Sequence, residues 1–271
     1  MLISFSTLGC PEWKWNEILA TARDMRYDGI EVRGICREMF APNIGIFSDE
    51  NIEQTKKQLS DRGLEISILT TGAYLSDPSY LPMAEAEVLA YAHLACKLGV
   101  KYKRVMGEDT PQPKEESTKE ELCKNYAKIC DICLPYGVTP LIETNGILAS
   151  SDNMKYVMEN VNRENAGVLW DIHHPYRYYG ESANETGNRI GRYVKHVHIK
   201  DSYIENGKMY YTLMGYGDNP VREACRFLKD IGYTGYYSYE WVKRWVPELE
   251  GSGIAFHTYS DYMRGLENIL K

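Results

Sequence analysis

About eight times along the chain, a short apolar or β-branched run gives way to a longer stretch of helical spacing. No Pro/Gly/Ser-rich linker divides the series. The strand signals fall at Leu2–Leu8, Gly29–Arg33, Leu64–Thr70 and Val100–Met106, then at runs ending in Glu143, Asp171, Asp201 and Glu240. Between them lie helical patterns over Glu12–Met25, Leu81–Leu98, Ser117–Tyr136, Glu185–Tyr193 and Asp218–Ile231, and Ile254–Leu270 closes the chain. Further helix starts are read at Ser48 and Ser151. A helix after every strand makes the strands parallel, and about eight pairs close a barrel. An open doubly wound sheet usually has fewer repeats and carries a glycine-rich phosphate turn, which is missing here. The expected fold is an α/β (β/α)8 TIM barrel, with residues 1–271 as a single domain; 271 residues suit such a barrel.

The later strand runs share an ending. Ala166-Gly-Val-Leu-Trp-Asp171 is followed by Ile-His173-His174-Pro175, and Pro140-Leu-Ile-Glu143 by Thr-Asn145. Lys195-His196-Val-His198-Ile-Lys200-Asp201 and Tyr236-Tyr-Ser-Tyr-Glu240 follow the same plan. Side chains alternate along a strand, so Val168 and Trp170 share one face while Leu169 and Asp171 share the other. The same parity places Glu143 with Leu141, His198 with His196 and Lys200, and Glu240 with Ser238. In a parallel barrel the C-terminal strand ends form the reactive face. Three carboxylates and at least one imidazole directed into one cavity suit a divalent ion: Mn²⁺, Mg²⁺, Co²⁺ or Zn²⁺. Three anions against one dication leave about −1, so one carboxylate can share its density with a proton and serve as a general base.

Composition removes several other classes. The formal charge is −7 and no basic run of five or more residues occurs, which argues against a nucleic-acid partner. No signal-peptide pattern or membrane span is legible. Seven cysteines, an odd number, point to reduced thiols and a cytoplasmic location. Cys130-Asp-Ile-Cys133 has redox-motif spacing but falls inside a helical pattern, which favours a packing role.

Together, Ile-Glu143-Thr-Asn, Trp-Asp171-Ile-His-His174, His196-Val-His198-Ile-Lys-Asp and Tyr-Glu240-Trp resemble the xylose-isomerase-like barrel superfamily, in its sugar-phosphate isomerase/epimerase branch. The resemblance extends over nearly the whole chain. It implies metal ligation by Glu143, Asp171, His198 and Glu240, with His174 hydrogen-bonding the substrate. It also implies proton transfer beside a carbonyl of a small carbohydrate, with Glu143 and Glu240 as the two bases. Two positions depart from the ketose 3-epimerase pattern: Ile204 stands where an arginine is usual, and Ala149 replaces an acidic contact. Substrate grip is therefore expected from Arg33, Arg104, Arg177 or Lys200, with Trp13, Trp15, Tyr178 and Trp241 as walls. Arg33 shares parity with Glu31, and the two are candidates to pair. His196 lies deeper and is expected to be a satisfied core histidine. Tyr178 and Tyr179 are placed in a loop at the mouth, and the long loop Trp241–Gly253 is read as a lid or a dimer contact, which leaves a homo-oligomer open. Two alternatives stand beside the isomerase: a dehydratase of a keto-inositol or keto-sugar, and a metal-dependent sugar-binding protein without turnover.

Overall fold

The computed structural model describes residues 1–114 and 117–270. Eight parallel strands close a barrel: β1 (Leu2–Ser6), β2 (Gly29–Val32), β3 (Glu65–Tyr74), β4 (Tyr102–Met106), β5 (Thr139–Glu143), β6 (Gly167–Asp171), β7 (Val194–Ile199) and β10 (Tyr236–Tyr239). Around the ring the order is β1, β10, β7, β6, β5, β4, β3, β2. The helices between them are α1 (Trp15–Asp24), α2 (Ile52–Ser60), α3 (Leu81–Leu98), α4 (Lys119–Cys133), α5 (Ser151–Asn160), α6 (His173–Tyr179), α7 (Ala183–Ile190), α8 (Val221–Asp230) and α9 (Ser252–Leu270). The TIM barrel expected from the alternation is therefore the observed fold. No helix among the described residues is long and apolar enough to cross a membrane.

Two apolar layers follow from strand parity. Ile3, Phe5, Val168, Trp170 and Val197 join the large core between strands and helices. Ile68, Leu141 and Leu169 form a small separate plug inside the lumen. Above that plug the lumen turns polar, and Glu143, Asp171, His198 and Glu240 are drawn together at the mouth.

The strand register slips at three places among the described residues, between β2 and β3, β3 and β4, and β6 and β7, and the first and last bear on the site. Between β6 and β7, Val168 pairs with Val194 but Leu169 pairs with His196, so Lys195 is an extra residue. This bulge sets Asp171 level with His198. Between β2 and β3 a similar slip lets Ile66 face the helices and Ile68 the lumen, although they are two residues apart.

Two elements differ from expectation. Tyr178 and Tyr179, expected in a loop, lie at the end of α6. Asp171 Oδ1 accepts the His173 N–H at 2.9 Å, Pro175 occupies the first turn where no N–H is required, and Gly180 at φ 65° ends the helix. Second, an antiparallel hairpin of β8 (Asp201–Glu205) and β9 (Lys208–Thr212) stands beyond β7. Its turn is Asn206-Gly207, both at positive φ, the pair a two-residue hairpin turn favours. Asp201 belongs to this hairpin and anchors the loop after it. Its carboxylate accepts the N–H groups of Ser202, Gly215, Gly217 and Asn219.

Candidate active site and metal centre

Glu143, Asp171, His198 and Glu240 converge at the C-terminal mouth, with one ligand atom from each lying within 4.8 Å of all the others. They come from β5, β6, β7 and the residue after β10, four neighbours in the ring. All four are buried. His198 Nδ1 is the hub: it lies 3.6 Å from Glu143 Oε1, 3.9 Å from Asp171 Oδ2 and 3.4 Å from Glu240 Oε1. Donors about 2.1 Å from one ion in a tetrahedral array stand about 3.4 Å from each other, so this spacing is that of a ligand shell. His198 Nδ1 is buried without a hydrogen-bond partner, as a ligand nitrogen would be.

The other ring nitrogen fixes the imidazole. His198 Nε2 lies 3.0 Å from Glu31 Oε2, an oxygen that also meets His196 Nε2 at 3.1 Å and accepts the Ser238 hydroxyl at 2.7 Å. A carboxylate behind a histidine whose far nitrogen faces an ion site is the usual support of a metal ligand. Burial would push the Glu31 carboxyl up, but His198 and His196 together hold it well below the usual range. Burial likewise opposes charge on His198, yet Glu31 and Glu240 raise its pKa well above that of free imidazole. Metal binding would take the place of the Nδ1 proton.

Two cations complete the cluster. Lys200 Nζ lies 2.5 Å from Asp171 Oδ2 and also contacts Glu240 Oε2. Although burial opposes its charge, those two carboxylates raise its pKa well above the usual lysine value. Arg104 Nη1 donates to Glu143 Oε2 at 2.8 Å, and Nη2 to the Thr71 carbonyl at 2.7 Å. Burial alone would raise the Glu143 pKa; Arg104, His198 and His174 bring it well below the ordinary carboxylate range. The net charge expected from three carboxylates and a dication was about −1. Counting Arg104 and Lys200 corrects it to about +1.

His174 lines the cavity. Its Nδ1 contacts the Thr144 carbonyl at 2.8 Å and so carries the proton, which leaves Nε2, 3.5 Å from Asp171 Oδ2, as an acceptor. Burial lowers the pKa of this imidazole, against the pull of Asp171. Its neighbour His173 turns away, to Ser202 Oγ at 3.1 Å and a stack on Tyr211. Arg33 and Lys200 also border the cavity, which has a volume of about 570 Å³.

Several expectations need correction. Arg33 does not pair with Glu31, which is taken by His196, His198 and Ser238. Arg177 does not line the cavity; it donates to Ser202 Oγ at 2.8 Å and pairs with Asp218. The four expected walls do not line the cavity, and each makes its contacts elsewhere. Trp13 packs edge-on against Phe256, Trp15 donates to Gln58, Trp241 stacks on Tyr239, and Tyr178 sits behind His173. Tyr74, Tyr211 and Trp245 form the walls instead. Tyr211 comes from the hairpin, whose sequence signal was Asn206-Gly207. Trp245 comes from the loop after β10, with Val242 and Val246 beside it, so that loop closes one side of the cavity.

A larger hollow of about 890 Å³ opens at the other end of the barrel, near Tyr102, Val194 and Tyr236. None of the acid–imidazole groups borders it.

Residues 19–258 match the model of the xylose isomerase-like TIM barrel family. Among curated proteins, fructoselysine 3-epimerase of Escherichia coli O157:H7 is 24% identical over 132 residues, which is 47% of each chain. The match thus spans about half the length of that relative. Among solved structures, the IOLI protein with a bound zinc atom superposes at a TM-score of 0.80 with 19% identity, over 100% of this chain and 99% of that one. The D-allulose 3-epimerase of Methylomonas sp. in complex with D-allulose superposes at 0.73 with 16% identity, over 98% and 96% of the two chains. At these identities the superpositions bear on fold alone, whereas the family match covers most of the sequence. The chain belongs to the xylose isomerase-like TIM barrel family.

Proposed function

We propose that the protein is a divalent-metal-dependent isomerase or epimerase of a small sugar or related polyhydroxy carbonyl compound. The observation that carries this reading is the convergence of three carboxylate oxygens on the unpartnered Nδ1 of His198. The fructoselysine and D-allulose 3-epimerases, a partial relative and a structural neighbour, are in keeping with it. Glu143, Asp171, His198 and Glu240 would hold the ion, one of Mn²⁺, Mg²⁺, Co²⁺ or Zn²⁺. When bound, it supplies positive charge beside the substrate oxygens on which negative charge develops.

The chain's own groups do the rest. Glu143 and Glu240 stand at the two ends of the four-strand arc, on β5 and after β10. One removes the proton from the carbon next to the carbonyl. The other returns a proton to the opposite face or to the neighbouring carbon. Arg104 and Lys200 each hold one carboxylate oxygen, so both acids keep a fixed orientation while a proton moves. His174 accepts a substrate hydroxyl at Nε2 and thereby orients the carbon skeleton. Lys200 is a charged donor at the same cluster, and it favours one second reading: protonation of a departing β-hydroxyl would make the enzyme a dehydratase.

The test is a screen of ketoses, aldoses and inososes against the Mn²⁺-loaded protein in D₂O. Deuterium beside the carbonyl in an isomerised product is the expected result. A product lighter by one water would transfer the assignment to a lyase. Tight binding with no exchange into any bound sugar would reduce the protein to a binding module.

A further inference from the structure

The mouth has two unlike halves. Going round the ring, β10, β7, β6 and β5 carry the acid–imidazole cluster, and the gap between β2 and β3 lies diametrically across from its centre. On that far side Arg33, directly after β2, borders the cavity together with Gly72 and Tyr74 of β3. The guanidinium lies across bare backbone: Nη2 is 3.2 Å from where a Cβ on Gly72 would stand. Thr7 holds the stem, because its Oγ1 accepts the Arg33 N–H at 2.9 Å and donates to the Gly34 carbonyl at 2.6 Å.

Arg33 nevertheless lacks a counter-ion. Among the described residues no carboxylate lies within 4.0 Å of it, and its one side-chain hydrogen bond, to the Met39 carbonyl, is a long 3.5 Å. Glu87 is the nearest acid by influence, but its carboxylate is engaged with the Gly72 N–H at 2.7 Å. The other charges felt at Arg33 include Arg104 and Arg244, both of the same sign. A mostly buried guanidinium among like charges is costly unless an anion arrives. Arg104 and Lys200 are already neutralised by Glu143, Asp171 and Glu240, so among the described residues Arg33 is the cation left open toward the cavity.

We propose that Arg33 receives an anionic substituent of the substrate, a carboxylate or a phosphate ester, carried at the end of the molecule remote from its reacting carbonyl. This deepens the isomerase reading and rests on it for the other end of the ligand. A planar guanidinium can grip either oxyanion through two parallel hydrogen bonds. The cavity, at about 570 Å³, has space for a substituted sugar spanning from β6 to β2.

Calorimetric binding to the Mn²⁺-loaded protein separates the two ideas. The probes are a five-carbon ketose, its 5-phosphate and a six-carbon keto-uronate. At least one anionic probe is expected to bind at least about tenfold more tightly than the neutral ketose, and Arg33→Met should bring that ratio to within about threefold. Arg33→Lys should restore part of the preference, since charge returns without the fork. Whether the phosphate or the uronate shows the Arg33-dependent gain identifies the oxyanion. Equal binding of all three probes, or a preference that survives Arg33→Met, would overturn the proposal. Deuterium exchange measured on the same probes reports separately on the reaction: exchange into the neutral ketose alone keeps the isomerase and loses the anion site. Arg33-dependent anion binding without exchange does the reverse.

Discussion

Two acid–histidine clusters share one imidazole, and they are built to opposite ends. Below His198, Glu31 Oε2 collects His196, His198 and Ser238 at 3.1, 3.0 and 2.7 Å, and its own charge is matched. Above it, three carboxylates crowd around an Nδ1 that has no hydrogen-bond partner. The lower cluster is complete as folded, whereas the upper one has the spacing of a site that an ion would complete. On the proposed function, the lower cluster positions and the upper one reacts. The same distinction separates two fully buried lysines. Lys200 sits between two carboxylates, while Lys103, on the helix side of β4, donates to the Val88 carbonyl at 3.2 Å and lies beside the Cys133 thiol. Burial pushes the Lys103 pKa down to about 8.

The largest effect should come from emptying the upper cluster. Exhaustive chelation is expected to abolish turnover, with Mn²⁺ or Co²⁺ restoring it; sustained activity in protein that elemental analysis finds metal-free would break the contrast. Next, Glu143→Gln and Glu240→Gln are each expected to lower kcat by about 10³-fold with circular dichroism unchanged. A variant retaining most of its rate would remove that glutamate from proton transfer. Glu31→Gln tests the lower cluster: metal affinity should fall by about 10–100-fold while the chain still folds. An unchanged dissociation constant in metal titration would leave Glu31 as packing alone.

The smallest effect concerns Lys103 and stability. Its native pKa of about 8 lies below the ordinary 10.5, so between those values the unfolded chain binds a proton that the native state has lost. Stability at this site therefore rises with pH from about 8 to 10.5 and is flat below. Lys103→Met should stabilise at pH 7, by up to about 3 kcal/mol, and should erase that rise. Denaturant titrations from pH 7 to 10.5 that gave parallel curves for the two proteins would contradict it.

Much of this was legible without coordinates, and the reason is periodicity. Alternation of apolar residues reports which face a strand turns inward, and repeated strand–helix pairing reports the parallel barrel. Hence Glu143, Asp171, His198 and Glu240 could be placed at one rim from spacing and from family likeness. Some of what went unread was local: Asn206-Gly207 marked the hairpin that supplies Tyr211, and Asp171 ahead of His173 marked the start of α6.

Other features had no local signal. The identity of the strand-end acids and imidazoles, and the parity that turns them inward, are written in the chain itself, because a strand's two-residue repeat is a property of its backbone. Their common height, the pairing of Glu31 with His196 and His198 in place of Arg33, and the turning of Trp13, Trp15 and Trp241 away from the cavity were decided only on folding. The common height depends on a bulge, and the Glu31 pairing on partners far along the chain, as with His198, 167 positions away. Competition among such distant partners is settled by packing.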